Sequence, residues 1–304
     1  MNRRTFIQHS AMLGAAGFLT RSPLLAQATG EAAGAFYPLR RNVGYFSGRG
    51  GTIGWLVDPA ALAVVDTQFP GTAAFCLEGL PGRSGRTLDV VINTHHHRDH
   101  TSGNPVFKPA ARTLVAQTNV PGLQLRDAAR NGTTEGVVVA NETFDVSWRR
   151  EMGGEVVTAT YFGAAHTNGD AVVHFERANV VHMGDLVFNR LYPVIDRPAG
   201  ASIRHWITVL DEAVKKYPGD AIYIFGHGSA KFGVTGSQAD LPVFRDYLSG
   251  LLDHVEREIA NGKSKAEITA LANLPGFPDF HSAAPNRLQG NLAVAYDELT
   301  TANG

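Results

Sequence analysis

The chain has 304 residues, of which 44% are hydrophobic and 18% charged, and its formal net charge is −1. That is ordinary globular composition with ample material for a core, and the charge gives no reason to expect a nucleic-acid partner. The lone cysteine, Cys76, excludes an internal disulfide and leaves His, Asp and Glu as the residues from which a metal site would be built.

The first segment reads as a targeting signal. Arg3-Arg4 precedes an uncharged stretch over 11–19 rich in Ala, Gly and Leu, and Ala26-Gln27-Ala28 supplies the small-x-small pattern of a cleavage site after residue 28. The paired arginines resemble a twin-arginine signal, with a general secretory signal as the alternative. Either reading sends the mature, mildly acidic protein to the periplasm or the outside. The apolar stretch is too short to span a bilayer, and no cysteine follows it, so no stable membrane anchor is expected. Residues 29–40, rich in Ala and Gly, read as a linker, and 41–304 as one domain.

Short β-type runs follow at 43–46, 52–57 and 61–65, separated by turn residues. Gly48-Arg49-Gly50-Gly51 lies between two of them and reads as a hairpin turn, because no helix pattern follows that would make it a phosphate loop. A short helix is expected over 72–80, with Cys76 on its inner side, then a buried strand at 88–92. Further strands are expected at 113–116, 155–161, 171–175, 180–182 and 221–225. Helices are expected at 202–216, 238–259, 265–274 and 288–299. The apolar residues of 238–259 recur with helical period and read as a core-facing stripe.

Four of these apolar runs end in a residue able to bind metal. Val90-Val91-Ile92-Asn93-Thr94 leads into His95, the strand ending near Gly163 into His166, Val180-Val181-His182-Met183-Gly184 into Asp185, and Ile222-Tyr223-Ile224-Phe225-Gly226 into His227. Strand ends are where sheet proteins gather functional groups. Within His95-His96-His97-Arg98-Asp99-His100, His95 and His97 face one way on an extended chain. Asp99 and His100 follow where the chain turns and can serve a second metal. Neutral imidazole is a common zinc ligand, and three protein ligands with one open position is a catalytic layout.

The pattern His95-x-His97-x-Asp99-His100, followed in order by His166, Asp185 and His227, resembles the metallo-β-lactamase-fold hydrolase superfamily. The resemblance implies an α/β fold of the αββα type, two sheets flanked by helices with the metals at one edge. It implies that His95, His97 and His166 hold one Zn2+ and that Asp99, His100 and His227 hold another. Asp185 would bridge them, and a hydroxide between the metals would attack the substrate. Asp99 would also orient that hydroxide and carry its proton. Asp66 resembles the family's acidic strand end and Asp170 a loop brace, while Asn189 and Tyr192 follow Asp185 where the family often contacts substrate. His96 and Arg98 alternate with the ligands and should point away. The other histidines have no ligand context.

The resemblance also bears on substrate. Lactamases of the superfamily typically carry Cys or Ser where this chain has Asp185, whereas Asp is more typical of glyoxalase-II-like thioesterases and lactonases. The expected function is therefore an exported dinuclear zinc hydrolase of a small ester, lactone, thioester or cyclic amide. Lactam hydrolysis and a mononuclear-iron persulfide dioxygenase are the alternatives.

Overall fold

In a computed structural model, residues 34–301 are described, so the targeting signal read over 1–28 lies outside the described residues. Short apolar runs in the first half of the chain, several of them buried on both faces, build a seven-stranded sheet whose strands lie in sequence order. These are β1 (Ala35–Arg40), β2 (Val43–Ser47), β3 (Ile53–Val57), β4 (Leu62–Val65), β5 (Leu88–Ile92), β6 (Ala111–Gln117) and β7 (Glu142–Phe144). The second sheet contains β8 (Ser147–Met152), β9 (Glu155–Tyr161), β10 (Ala171–Phe175) and β11 (Val180–His182). A short ladder joins β12 (Phe188–Asn189) to β14 (His227–Gly228), while β13 (Ile222–Ile224) and β15 (Thr235–Gly236) complete the second sheet in the order β15-β13-β11-β10-β9-β8.

Alternate side chains of both sheets meet in one apolar layer, in which Val65, Val90 and Ile92 of the first share a cluster with Val157, Val173 and Phe175 of the second. Helices cover the outer faces. On the first sheet lie α1 (Pro70–Gly79) and the short α2 (Arg98–Thr101) and α3 (Asn104–Phe107), with Cys76 buried beneath α1 as expected. The peptide then runs through α4 (Val120–Arg130). On the second sheet α5 (Ile203–Lys216), α6 (Asp240–Ala260) and α8 (Arg287–Thr301) share a core containing Trp206, Phe244, Tyr247 and Leu292. The stripe on α6 is thus a core face, and helix–sheet–sheet–helix is the observed architecture.

Two local readings change, and one strand lies where none was expected. The stretch read as a linker becomes β1 from Ala35 onward, pairing antiparallel with β2, where Tyr37 stacks on Tyr45 at 4.7 Å. The edge strand β8 is heavily charged, yet Trp148 and Met152 alternate inward to the inter-sheet core. The helix expected over 265–274 stops early, as α7 (Lys265–Thr269), because Leu271 and Leu274 reach the core from irregular chain.

Candidate metal centre

Parallel pairing of β4 with β5, and of β11 with β13, brings the C-terminal ends of these strands to one rim of the sandwich. His95 and His97 follow β5, His166 follows β9, Asp185 follows β11 and His227 follows β13. One ligand atom each from His95, His97, His166 and Asp185 lies within 4.8 Å of the others, and the same holds for Asp99, His100 and His227. Glycine is required beside two of these residues: a Cβ on Gly51 would run into the His100 ring, and one on Gly226 into the Asp185 carboxylate.

Hydrogen bonds on the far side of the His95, His97, His100 and His166 rings decide which nitrogen faces inward. His166 Nδ1 meets the carbonyl of Val194 at 2.9 Å, which places its proton there and leaves Nε2 bare. Thr94 Oγ1 donates to Asp66 Oδ2 at 2.8 Å and so accepts from His95 Nδ1 at 3.0 Å. The buried His95 Nε2 then has no hydrogen-bond partner. His97 is turned the other way. Its Nε2 bonds Asp196 Oδ2 at 2.9 Å, so Nδ1 faces His166 Nε2 across 3.0 Å. Two lone pairs that close repel unless a cation lies between them. Zinc–nitrogen bonds of about 2.0–2.1 Å in a tetrahedron separate the nitrogens by roughly 3.3 Å, so the donor set fits such an ion.

In the second cluster, His227 Nε2 lies 3.0 Å from Asp99 Oδ2 and 3.4 Å from His100 Nε2. Asp185 stands between the clusters. Its Oδ2 is 3.8 Å from His95, 3.5 Å from His166 and 3.4 Å from His227, while its Oδ1 is 3.0 Å from His100. One carboxylate therefore faces both ligand sets.

The two clusters differ electrostatically. Burial, with the His97 charge next, pushes His166 down to about 3, and burial holds His95 well below the usual imidazole range. Both are neutral and ready to bind metal. Burial also opposes charge on His227, but the Asp185 and Asp99 carboxylates outweigh it and raise the ring to about 9. His100 is likewise raised, against burial, by Asp185 and Asp66. Burial would lift Asp99, yet His100 and His227 bring it down to about 2.

Asp66 is fully buried at φ 65°, a left-handed conformation that Asp tolerates, and its Oδ2 accepts a hydrogen bond from His100 Nδ1 at 2.7 Å. Asp170 accepts from the backbone N–H and hydroxyl of Thr167 at 2.7 Å each, bracing the loop after His166; burial raises it to about 7. Asn189 and Tyr192 do not join the cluster. The Asn189 amide donates to the Gly233 carbonyl at 2.9 Å, and Tyr192 is buried against Tyr247 and Phe280. Asn189 pairs with Gly228 next to His227, and beyond it Val194 and Asp196 return the chain to His166 and His97, so this stretch braces the ligands without joining them. Sequence reasoning missed Asp196, because its partner His97 is remote in the chain.

The family model described as Metallo-beta-lactamase superfamily matches residues 47–227. The hydroxyacylglutathione hydrolase of Brucella anthropi is 26% identical over 191 residues, 59% of this chain and 63% of the relative. The metallo-beta-lactamase type 2 of Bacillus cereus is 24% identical over 189 residues, 61% of this chain and 71% of the relative. A solved structure, the stereoselective inverting sec-alkylsulfatase from Pseudomonas sp., superposes with a TM-score of 0.67 at 17% identity, over 88% of this chain and 50% of that one. The match thus spans less than two thirds of the hydroxyacylglutathione hydrolase and half of the sulfatase.

Proposed function

The chain belongs to the metallo-beta-lactamase superfamily, and we propose that it is an exported dinuclear zinc hydrolase of a small ester, lactone or thioester. The observation that carries this reading is Asp185, whose carboxylate faces both ligand sets at once. His95, His97 and His166 would hold one ion, Asp99, His100 and His227 the other. Bound there, zinc supplies Lewis acidity and an activated water, with a pKa lowered from about 15.7 toward about 7.

The protein's own groups do the rest. His95, His100 and His166 are buried and close the site from below. Asp99 and His227, with side chains 29% and 25% exposed, form its open side, from which substrate approaches. On that open side, the Asp99 carboxylate would orient the attacking water, accept its proton and pass it to the leaving group. Asp185, in place of the Cys or Ser typical of lactamases, favours esters and thioesters over lactams. The similarity to the Bacillus cereus lactamase keeps lactam cleavage as a second reading. Export rests on Arg3-Arg4, the apolar stretch and Ala26-Gln27-Ala28.

The test joins metal analysis to a panel of chromogenic esters, lactones, thioesters and lactams. Two zinc ions per chain and turnover of an ester, lactone or thioester are expected. Asp99→Ala should cut kcat by about 10²–10⁴-fold with the fold retained. One iron per chain, a preference for lactams, or full activity in Asp99→Ala would overturn the reading.

A further inference from the structure

Strand β11 ends in a histidine that belongs to neither ligand set. Val180 packs into the apolar layer between the sheets and Val181 into the helical core on the other side, so alternation returns His182 to the inter-sheet layer. The imidazole is fully buried there and lies against Gly54 of the facing β3. Burying a polar ring in an apolar layer is unfavourable unless its nitrogens are hydrogen-bonded. Both are.

His182 Nε2 donates to the Thr52 carbonyl at 2.9 Å, reaching from the second sheet to the first. The Thr52 N–H donates to the Gly226 carbonyl at 2.9 Å, and the Thr52 hydroxyl to the same oxygen at 3.1 Å. The Gly226 N–H donates to the Gly184 carbonyl at 2.8 Å, and the Gly184 N–H closes the circuit on His182 Nδ1 at 3.1 Å. All four residues are buried. Because every donor in this circuit points the same way round, each bond polarises the next.

The circuit runs directly behind the ligands. Gly184 immediately precedes Asp185, and Gly226 immediately precedes His227. Gly51, the neighbour of Thr52, donates its N–H to the Asp99 carbonyl at 3.0 Å and backs onto the His100 ring. The supports of the first ligand set lie elsewhere, with Thr94 behind His95, Asp196 behind His97 and Val194 behind His166.

We propose that His182 is a positioning residue of the metal centre, an inference that rests on the two-metal reading above. Its ring ties the turns presenting Asp185 and His227 to the hairpin that backs Asp99 and His100. It thereby shapes the second ligand set and leaves the first to its own supports.

The experiment compares the purified chain with His182→Leu, which keeps apolar bulk in the layer and removes both ring contacts. His182→Asn retains an oxygen able to accept from the Gly184 N–H, and Thr52→Val removes only the hydroxyl bond to Gly226. Amide exchange of the metal-free protein, followed by NMR, reads the circuit without any ion. The Gly184 N–H should exchange about tenfold or more faster in His182→Leu, with His182→Asn restoring protection and the amides of β9 and β10 unchanged in all variants. Zinc competition with a chromogenic chelator should show the second ion bound about 10–100-fold more weakly in His182→Leu, and the first held as in the parent. His182→Asn should recover part of that loss, and Thr52→Val should show a smaller loss at the same ion, so the test does not depend on one variant folding. Unchanged Gly184 exchange, equal weakening of both ions, or two ions held as tightly as in the parent would overturn the positioning role alone. A parent chain that takes up a single zinc would overturn the two-metal reading and this inference with it.

Discussion

At the scale of single residues, the centre is organised by the groups behind the rings. Asp66, Thr94, Asp196 and the Val194 carbonyl each accept a hydrogen bond from a ring N–H and thereby fix the nitrogen that faces inward. Removing such a support usually costs about 10–100-fold in metal affinity. Asp66→Asn should therefore weaken binding of the second zinc by about that factor while the first is held as before. Competition with a chromogenic chelator measures both. Equal loss at the two sites would show that Asp66 acts on the fold rather than on His100. Four of the ligand-type residues were legible in the sequence because each ends an apolar run, and His97, Asp99 and His100 because they stand with the first of these in one short motif. Asp196 was not, since only folding places a carboxylate from the loop after β12 beside His97. Asn189 and Tyr192, near Asp185 in the chain, make loop and core contacts and belong to neither ligand set.

At the scale of elements, helix ends tie distant parts of the chain together. The first backbone N–H groups of α5 have no partners within the helix. Glu298, on α8 and only 6% exposed, accepts from Ile203 N at 2.9 Å and Arg204 N at 3.0 Å, while Ser202 caps His205 N. A carboxylate also suits the positive end of the helix dipole. Glu298→Ala should destabilise the protein by about 1.5–3 kcal/mol, as expected for charge-assisted hydrogen bonds that leave buried donors unpaired. Denaturant melting checks this, with Glu298→Gln expected to lie between. An unchanged midpoint would mean water replaces the carboxylate freely. Helical periodicity located α5 and α8 in the sequence but was silent on this cap, because the partners lie 94–96 residues apart.

At the scale of the whole molecule, two sheets deliver two chemically different ligand sets to one rim. In the first, His166 titrates near 3 and is neutral at pH 7. In the second, the raised His227 keeps its proton up to about pH 9, so metal must displace it. Calorimetric zinc titrations in buffers of different ionisation enthalpy should then show little proton release with the first equivalent at pH 7 and about one or more protons with the second. Affinity at the second site should rise about tenfold per pH unit toward pH 9 for each proton displaced. The sign is opposite for metal-free stability: the contribution of His227 is full below about pH 6.5 and is lost as pH rises through about 9. Equal proton release at both steps would contradict the electrostatic difference between the clusters.

By itself, the sequence determined the periodic elements, the αββα layering implied by its motif, and the residues able to bind metal, because apolar periodicity and ligand chemistry are local properties of the chain. The tertiary structure decided what is relational. It converted a supposed linker into β1 through pairing with β2, and set Asp185 between two clusters by aligning β11 with β13. It also chose the metal-facing nitrogen of His97, His100 and His166 through partners remote in sequence. Distances between segments arise only when sheets and helices pack, which is why those features had to be read from the fold.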